Sequence, residues 1–212
     1  MTGVAWNGTA NASASSPGGC SLKSRYGQSH VWHRGVCTGP DHPLMATRLR
    51  GRWALGIMPR HFTWILKDKV AVCERPGGYG DSHRRVRRQE EIIWIRENGF
   101  GCVVSIITAP HNLHNYDELG VISRHRPFNA EESDPWLKSF YQELDELLRA
   151  GTKVLVHGEE VGDRIVGIMG GYIRWAGLVD DDTKAITVTE RLAGRQLDPF
   201  ARNIILNATK LR

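Results

Sequence analysis

Val154-Leu-Val-His-Gly-Glu-Glu-Val-Gly-Asp-Arg164 decides how this chain reads. An apolar run breaks into a short polar loop that ends on an arginine, and an apolar, glycine-containing run follows. The pattern predicts strand, loop and helix in succession. Such a loop makes an anion site, because amides at a helix N-terminus and an arginine fork converge on one small pocket. Gly158, which follows His157, has no side chain, so the loop begins without a nucleophile.

Working outward, strands and helices alternate. His61-Phe-Thr-Trp-Ile-Leu66 and Lys69-Val-Ala-Val-Cys73 are short β-prone runs, and Lys67-Asp68 between them suits the turn of an antiparallel pair. Pro76 to Gly80 reads as a loop. Asp81 or Ser82 is placed to cap a helix running through Gln89 to Arg96, with Ile92, Ile93 and Ile95 as its buried stripe and Asn98-Gly99 as its stop. Cys102 to Ile107 is a continuous apolar strand of the kind buried on both faces. A loop with His111 and His114 leads to a short strand over Gly120 to Arg124. Pro135 to Ala150 has helical period, with Asp134 as its cap and Pro135 at the first helical position.

After the central loop, a helix over Ile165 to Trp175 carries Gly167, Gly170 and Gly171, which cost helix stability unless something packs closely there, as expected beneath the loop. Thr183 to Leu192 and Pro199 to Asn207 add two helices around a Gly194-Arg195 turn. The alternation predicts an α/β sandwich, with a central, partly parallel sheet flanked by helices and the site at the carboxyl end of the last strand.

Composition sets the frame. A chain of 212 residues with 41% hydrophobic content supports one domain with a sizeable core. A net charge of +5 permits acidic partners but makes no case for nucleic acid. Cys20, Cys37, Cys73 and Cys102 follow no paired spacing, which points to a reducing, cytoplasmic compartment. No apolar run reaches the roughly 20 residues of a membrane span, and the first residues lack the order of a signal peptide.

The text divides near residue 45. Residues 1–44, rich in Ser, Gly, Ala and Asn, read as a disordered tail or an over-extended N-terminus, since Met45 heads more domain-like text. Residues 45–58 read as a linker and 59–208 as the folded domain. His30, His33, Cys37 and His42 are only loosely spaced like metal ligands and have no scaffold, so no metal or cofactor is expected.

From Pro59 onward the order of parts resembles the small dual-specificity phosphatases of the cysteine-dependent protein tyrosine phosphatase superfamily. The resemblance covers about residues 59–207. It rests on Pro59-Arg-His-Phe-Thr-Trp-Ile-Leu with Lys69-Val-Ala, on Glu97-Asn-Gly-Phe-Gly-Cys-Val-Val-Ser-Ile, on Val154-Leu-Val-His-Gly-x5-Arg, and on the stretch from Ala185-Ile to Gly194-Arg195. It implies a loop whose first residue is a cysteine thiolate that attacks phosphorus, an arginine that holds two phosphoryl oxygens, and an upstream aspartic acid that protonates the leaving oxygen.

Carried over residue by residue, the resemblance is incomplete. Arg164 matches the arginine, and His157 the histidine before the nucleophile. Gly158 stands at the nucleophile's position. No cysteine has an arginine six positions on, since positions 26, 43, 79 and 108 hold Tyr, Pro, Tyr and Thr. The acid's place falls at Pro127-Phe128-Asn129, none of which carries a carboxyl group, and Asp134 close by is read as a helix cap rather than as the acid.

Glu159, Glu160 and Asp163 put three carboxylates in or beside an anion loop, and Val161 stands where the family has glycine. Two charges at about 4 Å interact by several kcal/mol at intermediate dielectric, so an inward carboxylate would weaken anion binding. Arg164 is therefore expected to pair with one of these acids, unless Glu159 and Glu160 point to solvent. Arg84, Arg85, Arg87 and Arg88 suggest a basic rim that recruits an acidic partner, or else a solvated face balanced by Glu90 and Glu91.

These readings lead to a pseudophosphatase that uses the His157–Arg164 loop, with Gly162 inside it, to bind a protein or an acidic or phosphorylated ligand. The alternative is an active or weakly active phosphoric-monoester hydrolase using another nucleophile or a water activated by Glu159, Glu160 or His157.

Overall fold

The computed structural model of the chain describes residues 55–78, 80, 83–131 and 133–212. The tail's His30, His33, Cys37 and His42, the expected helix caps Asp81 and Ser82, and most of the linker lie outside the described residues.

Two short strands, β1 (Thr63–Leu66) and β2 (Val70–Glu74), form the antiparallel pair expected from their β-branched and aromatic content. Asp68 turns the chain at φ +61°, and the Lys69 amide donates to the Leu66 carbonyl at 3.0 Å. Helix α1 (Arg85–Glu97) follows, then β3 (Cys102–Ser105), a five-residue helix α2 (His114–Glu118) and β4 (Ser123–His125). Helix α3 (Ser133–Arg149) leads into β5 (Val154–Gly158), and α4 (Asp163–Trp175), α5 (Asp182–Ala193) and α6 (Pro199–Asn207) complete the order.

The sheet order is β1-β2-β5-β3-β4. Every pairing but β1–β2 is parallel, and β5 lies at the centre between β2 and β3. Helices cover both faces. On one, Val70, Val72, Val104, Val154 and Val156 pack against α3, α4 and α6 through Phe140, Tyr141, Ile168, Met169 and Ile205. On the other, Ala71, Cys73, Val103 and Leu155 meet Ile92, Ile95 and Tyr116 of α1 and α2. Burial on both faces explains why β2, β3 and β5 run apolar until Glu74, Ser105 and His157 near their carboxyl ends rather than alternating.

Four expectations change in detail. Ile93 is only half-buried, and α1 instead turns Arg88 and Glu91 inward beside Ile92 and Ile95. The strand expected over Gly120 to Arg124 starts later, because the chain first forms α2 within the presumed His111/His114 loop. Helix α3 begins at Ser133, so Asp134 sits inside its first turn, where a carboxylate complements the helix dipole, and not at the cap. The glycines of α4 do pack closely, but against helices and not beneath the loop. A Cβ on Gly167 would stand 2.6 Å from the Ala201 Cβ, one on Gly170 2.5 Å from the Thr189 hydroxyl, and one on Gly171 would overlap Tyr141.

Candidate functional site

Strand β5 ends at Gly158 and α4 begins at Asp163, so residues 159–162 form the loop at the carboxyl edge of the central strand. Parallel pairing aligns Cys73 and Ser105 with His157 on either side. The loop therefore emerges where neighbouring strands also end, and a cavity of about 730 Å³ opens there. Gly158, Glu160, Gly162 and Arg164 line it from the loop, His111 from the segment after β3, and Phe200 from α6.

His157 does not reach this cavity. Its side chain is buried, and its ring lies 6.0 Å from that of Tyr116 on the α1–α2 side of the sheet. Burial lowers its pKa to about 4, and the nearby Arg75 and His125 act in the same direction against an opposing backbone contact at Gly158. His157 is a neutral core residue and is not placed to activate a water in the cavity.

The three loop carboxylates separate. Glu159 is exposed and pairs with Arg75, which follows β2, at 3.2 Å. Asp163, at the start of α4, pairs with Arg195, whose guanidinium also donates to the Val161 carbonyl at 3.1 Å. Glu160 folds back over its own loop, where a Cβ on Gly162 would stand 3.4 Å from its Oε1. Among the described residues Arg164 forms no ion pair with any of them. The expected pairing of Arg164 with a loop acid is not what the chain adopts, because Arg75 and Arg195 engage two of the acids from outside.

Arg164 is exposed and lines the cavity, with its guanidinium carbon 5.9 Å from the centre of the Phe128 ring. Phe128 is itself buried, and Ala130 lines the cavity from the same segment. Neither Phe128 nor Ala130 carries an acid.

The backbone around Gly158 is closed in. A Cβ built there would stand 3.0 Å from the Glu160 carbonyl oxygen and 3.9 Å from Ile165 Cδ1. The Glu160 amide nitrogen borders the same space at 3.9 Å.

The basic run divides too. Arg84 and Arg85 are exposed, whereas Arg87 bonds Glu91 at 2.7 Å and Arg88 is buried against His83. Glu91 also accepts the Gly77 amide at 2.7 Å and so ties α1 to the loop after β2, while Arg87 and Arg88 meet intramolecular partners and do not form an open rim. Arg75, Arg195, Ala130 and Phe200 were not singled out from the sequence, because each reaches the site only through tertiary contacts.

Among the described residues no cluster of His, Cys, Asp and Glu could hold a metal, and no helix is long and apolar enough to cross a membrane.

No family model and no curated protein matches the sequence. Solved structures do. The chain is similar to kinase-associated phosphatase with its catalytic-site cysteine substituted by serine, at TM-score 0.60 and 19% identity over 73% of this chain and 97% of that chain. It is similar to Tk-PTP in its active form at TM-score 0.56 and 18% identity, over 71% and 97%. Human DUSP28 is similar at TM-score 0.52 and 15% identity, over 72% and 96%. The domain of this chain thus has the fold of the small dual-specificity phosphatases of the protein tyrosine phosphatase superfamily.

Proposed function

We propose that this chain is a non-catalytic phosphatase-fold protein that binds a phosphorylated or otherwise anionic ligand in the cavity at Arg164. The observation that carries this reading is the pair formed by Gly158 and Arg164. The first offers no nucleophile and is faced by the Glu160 carbonyl, while the second lines the cavity with its charge uncommitted to the loop acids. The segment that the resemblance makes the source of the general acid supplies no carboxyl group at Phe128 or Ala130.

Weak hydrolysis through a water activated by Glu160 is the competing reading, since Glu160 also lines the cavity. General-base help alone contributes about 10² to 10⁴ in rate. Aryl-phosphate hydrolysis and vanadate binding by the full chain, each repeated with Arg164→Ala, separate the two. Binding without turnover, lost in the variant, supports the proposal. Turnover that Glu160→Gln abolishes would replace it.

A further inference from the structure

We infer that His111 is a second ligand-contacting residue of the same cavity, donating an imidazole N–H to the anion held by Arg164. The inference rests on the reading of the cavity as an anion site. Among the described residues lining the cavity, Arg164 and His111 are the two with basic side chains, and they reach it from different elements: α4 and the segment joining β3 to α2. An anion between them would be gripped from two directions, as two converging donors orient an oxyanion better than one.

The local backbone fixes His111 in place. Its amide donates to the Ala109 carbonyl at 2.8 Å, and the next residue, Asn112, takes a left-handed φ of +60°, which asparagine adopts more readily than most non-glycine residues. The Asn112 carbonyl then accepts the Asn115 amide at 3.1 Å, anchoring the turn to α2. This tight turn presents an exposed His111 to the cavity, while His114, three residues on, opens α2 and does not line it.

The neighbouring acids leave room for this role. Glu159 is engaged by Arg75 and Asp163 by Arg195, and Asp198, also on the cavity wall, accepts the Ala201 amide at 2.7 Å as the cap of α6. Glu160 also lines this space and lies close to Gly162 of its own loop.

Calorimetric titration of inorganic phosphate and vanadate into the full chain tests the assignment, using the parent, His111→Ala, His111→Gln, His114→Ala and Arg164→Ala. A hydrogen bond to a charged group predicts that His111→Ala weakens binding about tenfold or more. The Gln variant, which keeps a donor, recovers part of that loss, and His114→Ala matches the parent. Parent-like affinity in His111→Ala, with binding lost in Arg164→Ala, overturns the role of His111 and leaves the anion site standing. A parent that fails to bind, or an Arg164→Ala variant that binds like the parent, instead removes the anion site and the inference with it. Equal weakening by His111→Ala and His114→Ala would assign the effect to the loop fold and also overturn the inference.

Discussion

The guanidinium of Arg164 stands over the ring of Phe128, 5.9 Å from its centre. Phe128 is held edge-on by Trp136 at 4.8 Å and by Phe200 at 6.4 Å, so the platform beneath the charge is fixed by aromatic packing. By the family resemblance this segment should supply a proton donor. Here it supplies a ring, worth about 0.5–1 kcal/mol to an exposed cation and nothing to a leaving group.

Asp163 is kept out of the cavity's charge balance by Arg195. Arg195→Ala is expected to release that carboxylate beside Arg164 and lower phosphate or vanadate affinity several-fold, more at low salt than at high salt. Asp163→Asn in the Arg195→Ala background should restore the loss. Titrations at two ionic strengths read both effects.

Restoring the cysteine should not restore the chemistry. In Gly158→Cys the new Cβ meets the Glu160 carbonyl at 3.0 Å, so the loop must shift by a few tenths of an ångström. With no acid at Phe128 or Ala130, aryl-phosphate hydrolysis is expected to stay at background. Burst kinetics with a good leaving group provide the check, and a stoichiometric burst would show a loop that opens readily.

Acid should destabilise the fold through His157. Its folded-state pKa of about 4 lies below its ordinary 6.5, so the unfolded chain binds the extra proton and stability falls as pH drops through that window. At about 1.4 kcal/mol per unit the loss approaches roughly 3 kcal/mol by pH 4. Urea unfolding at pH 7 and pH 4.5 measures it, and His157→Gln should show a flatter difference between the two.

Glycines of α4 should resist replacement even by alanine. Gly167→Ala would place its Cβ 2.7 Å from the Ala201 Cα, a backbone atom that moves only with α6. Helix propensity favours alanine by about 1 kcal/mol, yet overpacking of this kind costs about 1–3 kcal/mol. A net fall in the thermal midpoint is expected, and an unchanged midpoint would mean that α6 shifts freely.

Much of this protein is legible in its sequence because the relevant signals are local. The apolar run before Gly158 specified a doubly buried strand, the Asp198-Pro199 pair began α6 with cap and first-turn proline, and Gly194 ended α5 at φ +67°. The absence of a nucleophile at position 158 is likewise a property of the sequence alone. Helix α2 leaves no sequence signal because five residues are too few to show a 3.6 period.

What the tertiary structure decided was where the charges go. Glu159 meets Arg75 from 84 residues earlier and Asp163 meets Arg195 from 32 residues later, pairings made possible by the β2–β5 register and by α5 ending beside the loop. Periodicity assigns a side chain to a face, but not to a partner brought in by another element. For that reason Arg87 and Arg88 turned inward, His157 turned to the core, and Arg164 faced the cavity over Phe128.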